Sequence, residues 1–214
     1  MSNNPKLVVV YYGRFQPPHQ GHIGVYNHLV SKFGKSNVYI GTSNKVDPEK
    51  SPLTFQWKKK IFKSLNVPVN KLIQTKMNYN AKEIQQSLSL DADNTVFIVA
   101  LGEKDATRLG GKYFQPYTKG RELEPMIDAA YYYTIPNIKS DGKILSATDV
   151  RTILRKDELD KTDYAKLKNM LGMSRAGIDN LKPLFEHYVE MDEISILNEL
   201  IALDKNKCDQ KDHP

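Results

Sequence analysis

Apolar and polar positions alternate along the chain in blocks that change period. Lys6 to Tyr12 (KLVVVYY) is a β-branched and aromatic run, which predicts a buried first strand. After a Gly/Pro-rich turn, His22, Val25, Tyr26, Leu29, Val30 and Phe33 recur at helical spacing, and Gly34 supplies a stop. Asn37–Thr42 reads as a second strand, followed by a loop with Pro48 and Pro52. A helix burying Trp57, Ile61, Phe62 and Leu65 comes next. Lys71–Thr75 is a weaker strand, Ala81–Leu90 a helix, and Thr95–Leu101 (TVFIVAL) the clearest buried strand. Strands alternating with helices predict right-handed crossovers, a parallel sheet and an α/β Rossmann-like fold with flanking helices.

From Gly102 to Pro136 the pattern weakens. Glycines, Pro116, Pro125 and many tyrosines predict a long loop, with a fifth strand over Tyr131–Ile135. Beyond Ser146 the periodicity is helical, roughly over 147–156, 162–171, 177–189 and 191–203. The expected organisation is an α/β domain over 1–156, a C-terminal helical extension over 157–205 and a disordered tail over 206–214.

Composition narrows the class. The 214 residues are 40% hydrophobic and 26% charged, a soluble globular balance with enough chain for a packed core. No apolar run reaches the ~20 residues that span a bilayer, and the first five residues lack signal-peptide character. Cys208, the single cysteine, excludes a disulfide framework. A cytoplasmic protein is expected. The net charge of +6 suits a triphosphate pocket, weak nucleic-acid binding or plain solubility, so charge decides nothing.

The chemistry is carried by Gly13-Arg14-Phe15-Gln16-Pro17-Pro18-His19-Gln20-Gly21-His22. It lies at the carboxyl end of the first strand and leads into a helix N-terminus, where parallel sheets bind ligands and where backbone N–H groups attract phosphate. Gly13 permits close backbone approach, the prolines stiffen the turn, and Gly21 leaves room for a nucleotide. His19 and His22, three apart, fall on neighbouring positions and can address one phosphate group. His28, His187 and His213 take the ordinary structural or surface reading.

GRFQPPHQGH resembles the fingerprint of the cytidylyltransferase-like nucleotidylyltransferases, most closely the archaeal-type nicotinamide mononucleotide adenylyltransferases. A second motif of that family, I-S-x-T-x-x-R, is matched by Leu145-Ser146-Ala147-Thr148-Asp149-Val150-Arg151. Read alone, Ser146 followed by Asp149 is a capping box that opens a helix with Val150, Ile153 and Leu154 buried. The resemblance covers about residues 6–155 and implies transfer of a nucleoside monophosphate from a triphosphate to a phosphorylated acceptor, with release of pyrophosphate. It implies catalytic roles for His19, His22, Arg14 and Arg151. Gly13, Phe15, Gln16, Gly21, Gly102, Asp105, Ser146 and Thr148 join them around the nucleotide. Mg²⁺ is expected to ride on the triphosphate, held by substrate and water rather than by a carboxylate cage.

The likeness departs from the archaeal type around the acceptor. The family's N-x-x-W stretch corresponds to Asn80-Ala81-Lys82-Glu83, so Glu83 replaces the stacking Trp and Tyr79 is left to stack instead. The Phe-Thr-x-x-Glu-Arg helix start corresponds to Leu53-Thr54-Phe55-Gln56-Trp57-Lys58, with Lys58 for arginine. Lys58, Tyr79 and Asn80 are the expected acceptor residues, and nicotinamide mononucleotide with ATP the first expectation. Phosphopantetheine, a flavin mononucleotide or a polyol phosphate with CTP are alternatives. Gly172-Met173-Ser174-Arg175 faintly echoes the K-M-S-K-S loop of aminoacyl-tRNA synthetases, but the chain is too short for that core. A non-catalytic nucleotide sensor, or a nucleic-acid binder using Lys58-Lys59-Lys60 and Lys63, is the reading of another class. A lysine run on an amphipathic helix is usually its solvated face. Neither membrane nor nucleic acid is an expected partner, and homo-oligomerisation stays open.

Overall fold

A computed structural model describes residues 5–48, 50–107, 109, 113–136 and 145–186, without the Lys104 side chain. The expected helix over 191–203, the tail over 206–214, Cys208, His187 and His213 lie outside the described residues.

Six parallel strands form one sheet in the order β3-β2-β1-β4-β6-β5. They are β1 (Lys6–Tyr12), β2 (Val38–Thr42), β3 (Leu72–Gln74), β4 (Thr95–Leu101), β5 (Phe114–Pro116) and β6 (Ala130–Thr134). The helices are α1 (Gln20–Phe33), α2 (Phe55–Ser64), α3 (Ala81–Leu88), α4 (Glu103–Ala106), α5 (Ala147–Leu154), α6 (Lys161–Leu171), α7 (Arg175–Leu181) and α8 (Pro183–Glu186). This is the expected Rossmann-like α/β architecture, with helices after the sheet.

Successive side chains of β1 point to opposite faces and sort the core in two. Val9 and Tyr11 face the side packed by α1, α2 and α5 to α8; Val8, Val10 and Tyr12 face the side packed by α3. Leu167, Leu171, Ile178, Leu181 and Phe185, from α6 to α8, are buried in the same cluster as Val9 and Leu29.

Three expectations need correction. The stretch from Gly102 to Pro136 is not one long loop: it holds α4 and the edge strand β5, which pairs with β6 from Phe114↔Ala130 to Pro116↔Tyr132. On α2 and its C-cap the buried stripe is Lys58, Ile61, Phe62 and Leu65, whereas Trp57 is only half-buried. The helix read over 177–189 starts at Arg175 and breaks at Lys182, with Pro183 opening α8 because a first-turn residue needs no N–H donor.

The chain runs from β1 outward through β2 and β3, then returns to the other side of β1 as β4. The loops after β1 and β4 therefore diverge, and a crevice opens between their carboxyl ends.

Candidate functional site

The loop between β1 and α1 is fixed from below. Gly13 N–H donates to Gly41 O at 3.2 Å, and a Cβ on Gly13 would stand 2.6 Å from the Phe15 ring, so the glycine is required by packing. Phe15, in a left-handed conformation at φ 48°, is buried and meets Tyr11, His22 and Phe62 edge-on, its centroid 4.9 Å from that of His22. Gln16, expected beside the nucleotide, spends its side chain elsewhere: Nε2 donates to Leu53 O and Oε1 accepts from Leu53 N–H, both at 2.9 Å.

His19 and His22 cap α1 reciprocally. His19 Nδ1 accepts from Gly21 N–H at 3.1 Å, and His22 Nδ1 accepts from His19 N–H at 3.2 Å. The imidazoles thus take the parts that Ser/Thr and Glu play in a capping box. Because each Nδ1 is an acceptor, each ring carries its proton on Nε2 and offers one remaining donor. The rings lie 3.7 Å apart between centroids, tilted by 31°. Burial lowers the His19 pKa to about 4, with Asp149 pulling the other way. Burial, then the neighbouring His19, holds His22 well below the ordinary imidazole value. Both are neutral donors at pH 7. A Cβ on Gly21 would approach the His19 ring to 3.0 Å, so this glycine makes room for the imidazole as well as for any ligand.

The second motif supplies the opposite wall. Ser146 caps α5, its Oγ accepting from Asp149 N–H at 3.1 Å, the forward half of the expected capping box. Arg151 Nη1 donates to Gln16 O at 2.7 Å and Nη2 to Thr148 Oγ1 at 3.0 Å, which leaves further N–H groups of the fork for a ligand. Its pKa is lowered by burial first, then by Arg155 and Arg14.

Three hollows meet here. The first, about 370 Å³, holds His19, Gly21, His22, Gly102, Asp105 and Ser146. The second, also about 370 Å³, shares His22 and Ala147 with it and adds Arg14, Gln16, Lys50 and Arg151. The third, about 250 Å³, shares Arg14, Gln16 and Lys50 with the second and adds Lys45 and Lys58, with Asp47 as an opposing charge. The four residues expected to be catalytic line these adjoining hollows.

The expected acceptor residues do not gather in one place. Lys58 lies in the third hollow. Asn80 caps α3, accepting from Glu83 N–H at 3.1 Å, and lines a separate hollow with Lys76 and Glu83. Tyr79 packs edge-on against Tyr12, 5.2 Å between centroids, and Tyr12 lines the first hollow. Glu83 accepts from Lys76 N–H at 2.5 Å and Met77 N–H at 3.2 Å, so its carboxylate is occupied in shaping that loop.

Lys58 also departs from the solvated lysine face read over 58–60. It is 1% exposed, its Nζ donating to Thr42 Oγ1 at 3.1 Å and Ser43 O at 2.7 Å, and burial lowers its pKa to about 8. Lys45, Lys50 and Tyr12 escaped the sequence reading. Tyr12 ends β1, and the two lysines follow β2, so their places at carboxyl ends of strands were the available signal.

The cytidylyltransferase-like family matches residues 10–153, more than half of the chain. The chain belongs to that family and is a nucleotidyltransferase of its nucleotidylyltransferase class. A nicotinic acid mononucleotide adenylyltransferase of Plasmodium falciparum, solved complexed with NaAD, superposes with a TM-score of 0.53 at 16% identity. The match covers 86% of this chain and all of that one. A bifunctional NMN adenylyltransferase/ADP ribose pyrophosphatase of Francisella tularensis, complexed with AMP and a manganese ion, gives 0.51 at 16% identity. That match covers 97% of this chain and 57% of the bifunctional one. Both share the fold. No curated protein matches the chain. Among the described residues, no helix is long and apolar enough to cross a membrane.

Proposed function

We propose that this chain transfers AMP from ATP to nicotinamide mononucleotide, forming NAD and pyrophosphate. One observation carries the reading: two neutral imidazole donors are held at the junction of hollows that Arg14 and Arg151 line. A nucleoside fits the first hollow, beside Gly102 and Asp105, with its phosphates leading past His19 and His22. The acceptor phosphate enters from the third, where Arg14, Lys50 and Lys58 offset its charge. An acceptor oxygen attacks the α-phosphorus in line; the bond to the β-phosphate bridging oxygen breaks, and its electron pair leaves with pyrophosphate. Nε2–H of His19 and His22 stabilises the charge that builds, while Ser146, Thr148 and the two arginines grip the leaving phosphates.

Among the described residues, no cluster of three or more His, Cys, Asp or Glu is built to hold a metal. Mg²⁺ would arrive on the triphosphate and would supply charge neutralisation there, while His19, His22, Arg14 and Arg151 hold the phosphate oxygens.

Nicotinamide mononucleotide is preferred as acceptor because the solved structures that share this fold include adenylyltransferases of nicotinic acid mononucleotide and of NMN. The engagement of Glu83 with Lys76 and Met77 removes the main argument for a polyol phosphate. The test is a panel of nicotinamide mononucleotide, phosphopantetheine, flavin mononucleotide and a polyol phosphate, each with ATP and with CTP, read by pyrophosphate release. Release with ATP and nicotinamide mononucleotide is expected. Release only with CTP and a polyol phosphate would reassign the acceptor, and none with any pair would favour a non-catalytic nucleotide binder.

A further inference from the structure

Gln16, expected beside the nucleotide, holds its side chain in a contact of another kind. It is 3% exposed, and its amide exchanges two hydrogen bonds with the backbone of Leu53, in the manner of one rung of a sheet. Leu53 is itself fully buried and opens a rigid segment: Phe55 N–H donates to Asn44 Oδ1 at 2.6 Å, and Thr54 caps α2. The carbonyl of the same Gln16 receives Arg151 Nη1 at 2.7 Å from a helix 135 residues away. Gln16 lines both the second and third hollows.

We propose that Gln16 is the positioning residue for Arg151: its two-bond clamp on Leu53 fixes the carbonyl that aims the guanidinium into the phosphate hollow. Arginine holds one of the most mobile side chains, and fixing it costs rotamer entropy that a pre-placed acceptor offsets before ligand arrives. If that carbonyl drifts, the guanidinium keeps only its bond to Thr148 Oγ1 among the described residues, on an exposed turn of its own helix. The clamp also ties the position of Arg151 to the loop that carries Lys45 and Lys50, so the two sides of the reaction site share one support.

What Arg151 grips rests on the function proposed above, so the test reads triphosphate binding alone. Calorimetry with Mg²⁺ and a non-hydrolysable ATP analogue is run on the wild type, Gln16→Met, Arg151→Lys and the double variant. Gln16→Met is expected to weaken binding about tenfold, and the double variant to bind no more weakly than Arg151→Lys alone, because coupled residues are not additive. Additive losses, or wild-type affinity in Gln16→Met, overturn the positioning role. Gln16→Glu gives a second reading if Gln16→Met does not fold. Its buried carboxyl, once protonated, can donate to Leu53 O and accept from Leu53 N–H as the amide does. Affinity recovering toward wild type as pH falls from about 8 to about 5 supports the clamp, and a loss that ignores pH overturns it. A wild type that binds no analogue refutes the proposed function and this inference together.

Discussion

His19 and His22 each hold two positions at once. Their Nδ1 atoms cap the start of the helix and their rings line the hollows, so under the proposed function the same rings contribute to stability and to chemistry. His19→Asn separates the two. Asparagine caps a helix as well as any residue, but it offers no N–H where Nε2 stood. Turnover should fall roughly 10²–10³-fold while the melting temperature at pH 7 changes by no more than a few degrees. A folded variant with near-normal turnover would remove His19 from the chemistry. The depressed pKa adds a pH effect of definite sign. Between the unfolded value of 6.5 and about 4, the unfolded chain takes up a proton that the folded chain refuses. Stability therefore declines as pH falls through that window and levels off below it. Denaturant titrations at several acid pH values should show a shallower decline in His19→Asn. An unchanged slope would mean that His19 titrates normally.

Elements differ in how plainly the sequence announces them. β1 and β4 are covered on both faces, and their near-continuous apolar runs match the structure to the residue. The two motifs were equally legible, because glycine, proline and histidine at fixed spacing leave few alternatives. β5 was not: three residues, Phe-Gln-Pro, carry no period and depend on β6 for their conformation. The Gln16–Leu53 clamp and the mutual capping of the histidines join backbone to side chain, which hydrophobic patterning does not encode. α2 shows the failure best. Its stripe at 58, 61, 62 and 65 has ideal helical spacing, but counting lysine as polar shifted the expected face to Trp57. Burying that ammonium has a measurable signature. Between about 8 and 10.5 the unfolded chain holds a proton on Lys58 that the folded chain has lost, so wild-type stability gains with rising pH across this window. Below it, the full cost of the buried charge is present. The stability of Lys58→Met relative to wild type should therefore decline between pH 8 and pH 10.5, measured by urea denaturation. A pH-independent difference would show that Lys58 titrates as if exposed.

At the scale of the molecule, the helices after α5 are more than an appendage on the surface. Leu167, Leu171, Ile178 and Leu181 have no exposed surface and share a cluster with the central strand. Gly172 closes α6 at φ 62°, where a Cβ would come within 2.8 Å of Leu65, the residue that ends α2. Leu171→Ala should accordingly cost about 2–5 kcal/mol by leaving a cavity in the common core. Urea unfolding followed by fluorescence of Trp57 on α2 should report that loss in the same single transition as circular dichroism. An unchanged Trp57 transition would mean that the C-terminal helices unfold independently. The sheet order has a further consequence, which concerns other copies of the chain. Its two outermost strands, β3 and β5, are each three residues long, and proline ends the second. An open margin of a sheet is a template on which a foreign strand can polymerise, and its danger grows with the length of unpaired backbone it displays. Here each margin offers less than one ordinary strand's worth, so the long apolar β1 and β4 sit inboard, where no neighbour can extend them.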